Sequence, residues 1–287
     1  MSDYRILTDS CCDLPRQLIA DLDIDVVQLT LLFREQLLTD PSDDQIKAMY
    51  DALRAGESAS TSAVNPQSWK DAMEVILKQG KDVLTLVFSS GLSTTFQSAV
   101  IAAQELAEEY PQRTVKVVDS LSASLGQGLF VWYACKNRDE GMTLEQNFTW
   151  CEEHKQNLCH WFTVDDLMFL KRGGRISAAT ALLGTMLNIK PVLHVDDEGH
   201  LTSVAKFRGR KNALDALVKK LETDGLPGEN ETVFISHGDC IEDAQYVANK
   251  VQEKCGVKTV VINYVGAVIG SHSGPGTVAF FFLGKHR

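Results

Sequence analysis

The sequence predicts an α/β protein: a doubly wound, mostly parallel sheet in the first half, followed by a smaller mixed α/β unit. Three observations predict it. Short β-like runs alternate with helical patterns through short loops, which is how parallel strands are joined. The run 82–88 (DVLTLVF) has a continuous buried-strand pattern, with aliphatic residues on both faces as in a strand covered on both sides. After residue 157 a hairpin pattern interrupts the alternation.

The elements follow in order. Tyr4–Thr8 reads as a strand and Leu14–Leu22 as a helix with Pro15 in its first turn. Ile24–Leu31 is β-rich, and a polar helix is expected over Asp43–Arg54. The stretch 56–66 (GESASTSAVNP) reads as a loop closed by Asn65-Pro66, an N-cap followed by proline at the first helical position. Asp82–Phe88 is expected to be a central strand; a Ser/Gly loop and a helix to Glu109 follow, then a strand over Thr114–Val118 and another helix.

The second half opens with a β-like run over 158–164, a basic glycine turn and a helical segment over 179–188. Residues 190–209 read as a hairpin turning at Asp197-Glu198-Gly199. A helix to Thr223, a strand over Thr232–Ser236, a helix over Glu242–Lys254, a strand over Lys258–Asn263 and a glycine-rich turn carrying His272 complete the chain. We place the domain boundary at 157/158, giving units of residues 1–157 and 158–287.

Composition narrows the function classes. The chain is 44% hydrophobic and 23% charged, ordinary for a globular protein, and its net charge of −10 argues against a nucleic-acid or anionic-membrane partner. Its N-terminus has no basic segment leading into an apolar stretch, so no signal peptide is expected. The longest apolar run, about Val278–Leu283, is far short of the roughly 20 residues that span a bilayer, so no membrane insertion is expected. Seven cysteines with no C-x-x-C pair suit neither a disulfide framework nor a zinc site and point to a cytoplasmic location; Cys11 and Cys12 are either small packing residues or reactive thiols. There is no metal motif, nucleophile elbow, Walker loop or dinucleotide fingerprint. We therefore expect a binding protein rather than an enzyme, without metal or cofactor.

Five features can carry binding chemistry. Ser60-Thr61-Ser62 and Ser89-Ser90-Gly91-Leu92-Ser93-Thr94-Thr95 concentrate neutral donors where an open α/β sheet receives ligands, and they either bind an anion or cap helices. Gly270 to Gly276 encloses His272 in a turn that either presents the ring to an anion or makes a sharp bend. The basic runs Lys171-Arg172-Gly173-Gly174-Arg175 and Lys206 to Lys211 are either anion contacts or solvated faces.

In order, these segments resemble the DegV family of bacterial lipid-binding proteins. The resemblance rests on Thr8-Asp9-Ser10 with Asp13-Leu14, Thr61-Ser62, Ser89 to Ser93, Val118-Asp119-Ser120, Lys171 to Ile176, Arg208 with Arg210-Lys211, His237-Gly238-Asp239 and Gly270 to Gly276. It implies two α/β domains with a long-chain fatty acid between them. It also implies a carboxylate held by Thr61 and Ser93, with neighbouring Ser62 and Thr94, and by His272. In better-understood members the protein is the fatty-acid-binding subunit of a two-part kinase whose partner makes an acyl phosphate, which implies a role in phospholipid metabolism; Arg208, with Arg172, is the implied phosphate or partner contact. The chain departs from the family pattern at Ala63-Val64-Asn65-Pro66 and at Thr94, where a glycine is usual. Met168, Phe169, Leu182, Leu183, Met186 and Leu187 either line the acyl tunnel or belong to the core. Two alternatives stand beside this reading: a lipid carrier or sensor without a kinase, and an acyl hydrolase using Ser93 and His272.

Overall fold

A computed structural model describes residues 4–177 and 188–287. Its first part runs β1 (Tyr4–Asp9), α1 (Arg16–Asp21), β2 (Asp25–Val27), β3 (Thr30–Phe33), β4 (Gln36–Leu38), α2 (Asp43–Arg54), β5 (Ser60–Ser62), α3 (Pro66–Lys78), β6 (Asp82–Val87), α4 (Thr95–Glu109), β7 (Val115–Asp119), α5 (Leu125–Asp139) and α6 (Leu144–His154). It continues with β8 (Leu158–Thr163), α7 (Met168–Arg172), β9 (Ile189–Val195), β10 (Leu201–Arg208), α8 (Arg210–Asp224), β11 (Thr232–His237), α9 (Ile241–Cys255), β12 (Thr259–Tyr264), α10 (Ala267–Ser273) and β13 (Val278–Leu283). The expected helix over 179–188 lies, except for its last residue, outside the described residues.

Two main sheets divide the chain at Leu158. The first is parallel throughout, in the order β2-β1-β6-β7. Its strand β6 is internal and buried from Val83 onward, as its buried-strand pattern predicts. The second sheet is mixed, in the order β10-β9-β8-β13-β11-β12, with only β11 and β12 parallel. The predicted hairpin is β9–β10, turning over 196–200.

A third sheet, antiparallel β4-β3-β5, was not expected from the sequence, which reads 56–66 as loop. The β3–β4 turn explains the miss. Phe33 pairs with Gln36 across a two-residue loop in which Arg34 and Glu35 both have positive φ, 49° and 63°. Such turns usually announce themselves with Asn-Gly or Asp-Gly, and Arg-Glu carries no such signal. Helix α2 packs beneath this sheet and opens with a capping box: Ser42 accepts from the Gln45 N–H, and the Gln45 side chain accepts from the Ser42 N–H.

Helix α5 joins the two main sheets. Eleven of its residues are buried, including Gly126, Gln127 and Gly128, and it packs against β1 and β6 on one side and β8, β11 and β13 on the other. A helix buried all round needs small residues where backbones approach. A Cβ on Gly126 would lie 2.3 Å from the His160 ring and 2.7 Å from Phe281, and one on Gly128 would lie 2.6 Å from the Cys12 carbonyl oxygen. Gln127 reaches Asp9, whose buried carboxylate also accepts from the N–H groups of Cys11 (3.0 Å) and Phe88 (2.8 Å). Burial raises the Asp9 pKa to about 6 against the pull of those donors. Cys11 and Cys12 are fully enclosed, and burial pushes both thiols up, so they are packing residues here.

The close fit at α5 is testable. Gly126→Ala should destabilise the chain by about 1–3 kcal/mol, because the enclosed His160 and Phe281 rings must shift to admit the methyl group. Urea unfolding measures the loss; an unchanged midpoint would show that the rings move freely.

Candidate functional site

A cavity of about 490 Å³ opens among the three sheets. Its floor is the α5-facing side of the second sheet: His160 and Phe162 from β8, Ala279 and Phe281 from β13, and Thr277 just before β13, spaced two apart as one strand face requires. Its other walls are Leu29, Thr61 of β5, the β6–α4 loop, Ala123 and Ser124 before α5, Leu170, Arg175, Val195 and Leu201 of the hairpin, and Val268, Ile269, His272 and Ser273 of α10. The surface is mostly apolar with polar groups gathered in places, the usual composition of a small-molecule site.

One polar group assembles at the α10 side. His272 Nε2 lies 2.8 Å from Thr61 Oγ1. His272 is not in a free turn, as the glycines predict, but in the last turn of α10, which Gly274 ends at φ 79°. Gly173 makes room for the ring, since a Cβ there would lie 2.3 Å from His272 Nδ1. Burial, reinforced by the nearby Arg175 cation, lowers the His272 pKa to about 4, so the ring is neutral at pH 7.

Arg175 is the residue that sequence reasoning missed. It was visible only as the end of a basic glycine run, and the reading chose Arg172 from that run. The Gly173-Gly174 turn sends the two arginines different ways: Arg175 lines the cavity, whereas Arg172 is exposed and stacks on Phe169 at 4.4 Å. Arg175 donates to the carbonyl oxygens of Gly173 (2.5 Å) and Leu92 (3.0 Å). Among the described residues no carboxylate pairs with it, and burial lowers its pKa. It is also the only permanently charged side chain among the described residues of the cavity wall.

The other expected residues divide. Ser93 and Thr94 line the same cavity, and the Ser93 hydroxyl lies 2.8 Å from Thr95 Oγ1 while accepting from the Thr95 N–H at the start of α4. Ser62 is not brought to the cavity: strand β5 turns Thr61 inward, and Ser62 alternates to the exposed side. Arg208, the last residue of β10, is exposed and likewise outside the wall. Met168 packs on the main core and Phe169 on the α2 core, while Leu170 lines the cavity. Leu182, Leu183, Met186 and Leu187 lie outside the described residues. Ser93 pairs with Thr95 and His272 with Thr61, so the two are not coupled as nucleophile and base. Among the described residues no His, Cys, Asp or Glu cluster could hold a metal, and no helix is long and apolar enough to cross a membrane.

A family model described as "Uncharacterised protein, DegV family" matches residues 3–285. The chain belongs to the DegV family. A DegV domain-containing protein of Clostridium perfringens is 46% identical over 289 residues, covering 100% of this chain and 99% of that protein. Among solved structures, a DegV family protein from Thermus thermophilus, described by its fatty acid binding, is 34% identical with a TM-score of 0.86, covering 98% of this chain and 99% of that one. DegV from Bacillus subtilis, described as a fatty acid binding protein, is 28% identical with a TM-score of 0.85 over 99% and 100% of the two chains.

The His272 environment predicts a pH effect. Its pKa is about 4 when folded and 6.5 ordinarily, so between those values the unfolded chain binds more protons and stability falls as pH falls. His272→Gln, which keeps a side-chain hydrogen bonder but cannot titrate, should lose about 2–3 kcal/mol less than the parent chain between pH 7 and 4. Urea titrations of both at the two pH values read the difference; parallel losses would place the charge elsewhere.

Proposed function

We propose that this DegV family chain binds a long-chain fatty acid, with its carboxylate beside Arg175, His272, Thr61, Ser93 and Thr94 and its acyl chain over the β8–β13 floor. One observation carries this: a mostly apolar cavity whose single permanent charge among the described residues is an arginine with no carboxylate partner. A cation held by two carbonyl oxygens in a low-dielectric wall favours an anion, and the surrounding hydroxyls offset that anion's desolvation. The apolar wall supplies the rest. Each methylene removed from water contributes about 0.8 kcal/mol, on the order of 10 kcal/mol for a long chain before ordering costs. Solved relatives described as fatty acid binding support the reading.

The chain then acts by binding and presenting its ligand, not by catalysis. Its two units, 1–157 and 158–287, hold the acid between them, and the carboxylate is presented to a partner kinase that supplies ATP and forms the acyl phosphate. We place this activity in the cytoplasm. Arg208 and Arg172, both exposed, are assigned to the phosphate or the partner, because a guanidinium keeps its charge and grips phosphate through two parallel N–H groups.

Native mass spectrometry of the purified chain should show an adduct with the mass of a long-chain fatty acid. No adduct, together with no uptake of stearic acid by the delipidated chain, would overturn the proposal. Arg175→Met should weaken fatty acid binding by about 10–100-fold while leaving a fatty alcohol of equal length nearly unaffected, since only the acid uses the cation. Arg208→Ala should retain the lipid and lose acyl-phosphate formation with a cognate kinase; loss of the lipid instead would place Arg208 in the carboxylate site.

A further inference from the structure

Two side chains of the cavity wall meet at Gly173. Arg175 donates to its carbonyl oxygen (2.5 Å), and the His272 ring packs so close that a Cβ on Gly173 would lie 2.3 Å from Nδ1. Around His272 little else is charged. Helix α10 packs against α2, α7, β3 and β5, and neither strand has an ionisable side chain. Helix α2 turns Tyr50 inward, its hydroxyl donating to the Val265 carbonyl oxygen, and leaves Asp43, Asp44, Lys47, Asp51 and Arg54 exposed. Helix α7 adds a half-buried Lys171 and an exposed Arg172. Asp239 follows Gly238, which packs on Gly274, and is paired with Arg54. Residues 178–187 contain no ionisable side chain. Among the described residues, the charge acting on the ring is that of Arg175.

Burial and that cation hold the His272 pKa at about 4. An anion arriving beside Arg175 reverses the second of these influences. It offsets the guanidinium charge, and an opposite charge within about 4–6 Å favours a protonated ring by about 10- to 1,000-fold. Thr61 supplies the connection, with its hydroxyl 2.8 Å from His272 Nε2. An imidazolium donates from both ring nitrogens. Nε2 then donates to Thr61 Oγ1, which leaves the Thr61 O–H to donate to the carboxylate. The positive charge reaches the anion through that hydroxyl, and neither charge is left unpaired in the enclosed wall.

We propose that the chain takes up a proton on His272 as it binds a fatty acid, so that carboxylate and counter-proton are held together and acid conditions favour loading. The proton comes from solvent and returns to it when the acid leaves. The inference rests on the fatty-acid reading of the cavity. Calorimetric titration of the delipidated full chain with dodecanoic acid, in buffers of different ionisation enthalpy, counts the protons taken up per acid bound. The acid's own titration is common to the parent and to His272→Gln and cancels between them. At pH 5.5 the parent should take up about 0.3–1 proton more than the variant, and at pH 8 less than about 0.1 more. Equal counts in the two chains at pH 5.5 would overturn the proposal. If the variant does not fold or bind, the ¹⁵N shifts of the His272 ring in the parent at pH 5.5 decide. They should change from neutral imidazole to imidazolium when dodecanoic acid binds, and a ring neutral in both states overturns the proposal. Failure of the parent to bind either dodecanoic or stearic acid would instead remove the fatty-acid reading itself.

Discussion

The architecture depends on helix α5 being covered on opposite sides by two different sheets. A helix with one apolar stripe can close only one core; α5, buried nearly all round, closes two and welds them together. That demands backbone contact at Gly126 and Gly128 and a polar fastening at Gln127, whose amide donates to the enclosed Asp9 carboxylate. Asp9 in turn accepts from Cys11 and Phe88, fixing the ends of β1 and β6 relative to the helix. The Ser89-to-Thr95 loop leaves β6 immediately after Phe88, so its hydroxyls are aimed by this fastening rather than by their own propensities.

The cavity is a by-product of that arrangement. Ser124, just before α5, has φ 54° and donates to Asp13, itself at φ 52°. Two non-glycine residues in the left-handed region, tied to each other, are strain that the surrounding packing sustains. Charge is used sparingly: among the described residues the wall has one cation, and its two histidines are both neutral.

How much was legible in the sequence follows from which signals are local. Strand β6 announces itself because Val83, Leu84, Leu86 and Val87 are aliphatic on both faces, as covering on both sides requires. The hairpin β9–β10 and the helix α2 carry turn and cap residues that act within four positions. The third sheet stayed hidden because Arg34-Glu35 adopts positive φ without the usual residues, and Ser60-Thr61-Ser62 is too short and polar to show alternation. Ser62 was grouped with Thr61 by adjacency, although adjacency on a strand means opposite faces. Arg175 and Arg172 could not be ranked because the choice was made by the two-residue Gly173-Gly174 turn, a backbone event. His272 was read as a turn because glycine frequency outweighs helix propensity in a seven-residue element.

The contact between Thr61 and His272 bridges 211 positions of chain. Contacts of such separation form only after the long intervening loop has been closed, which makes them late events in folding. On the ribosome the first sheet is synthesised in full well before α10 emerges. Thr61, Ser93 and Arg175 are thus all synthesised while the histidine that completes their group is still unmade. The cavity wall is thus complete only once residue 272 has been made.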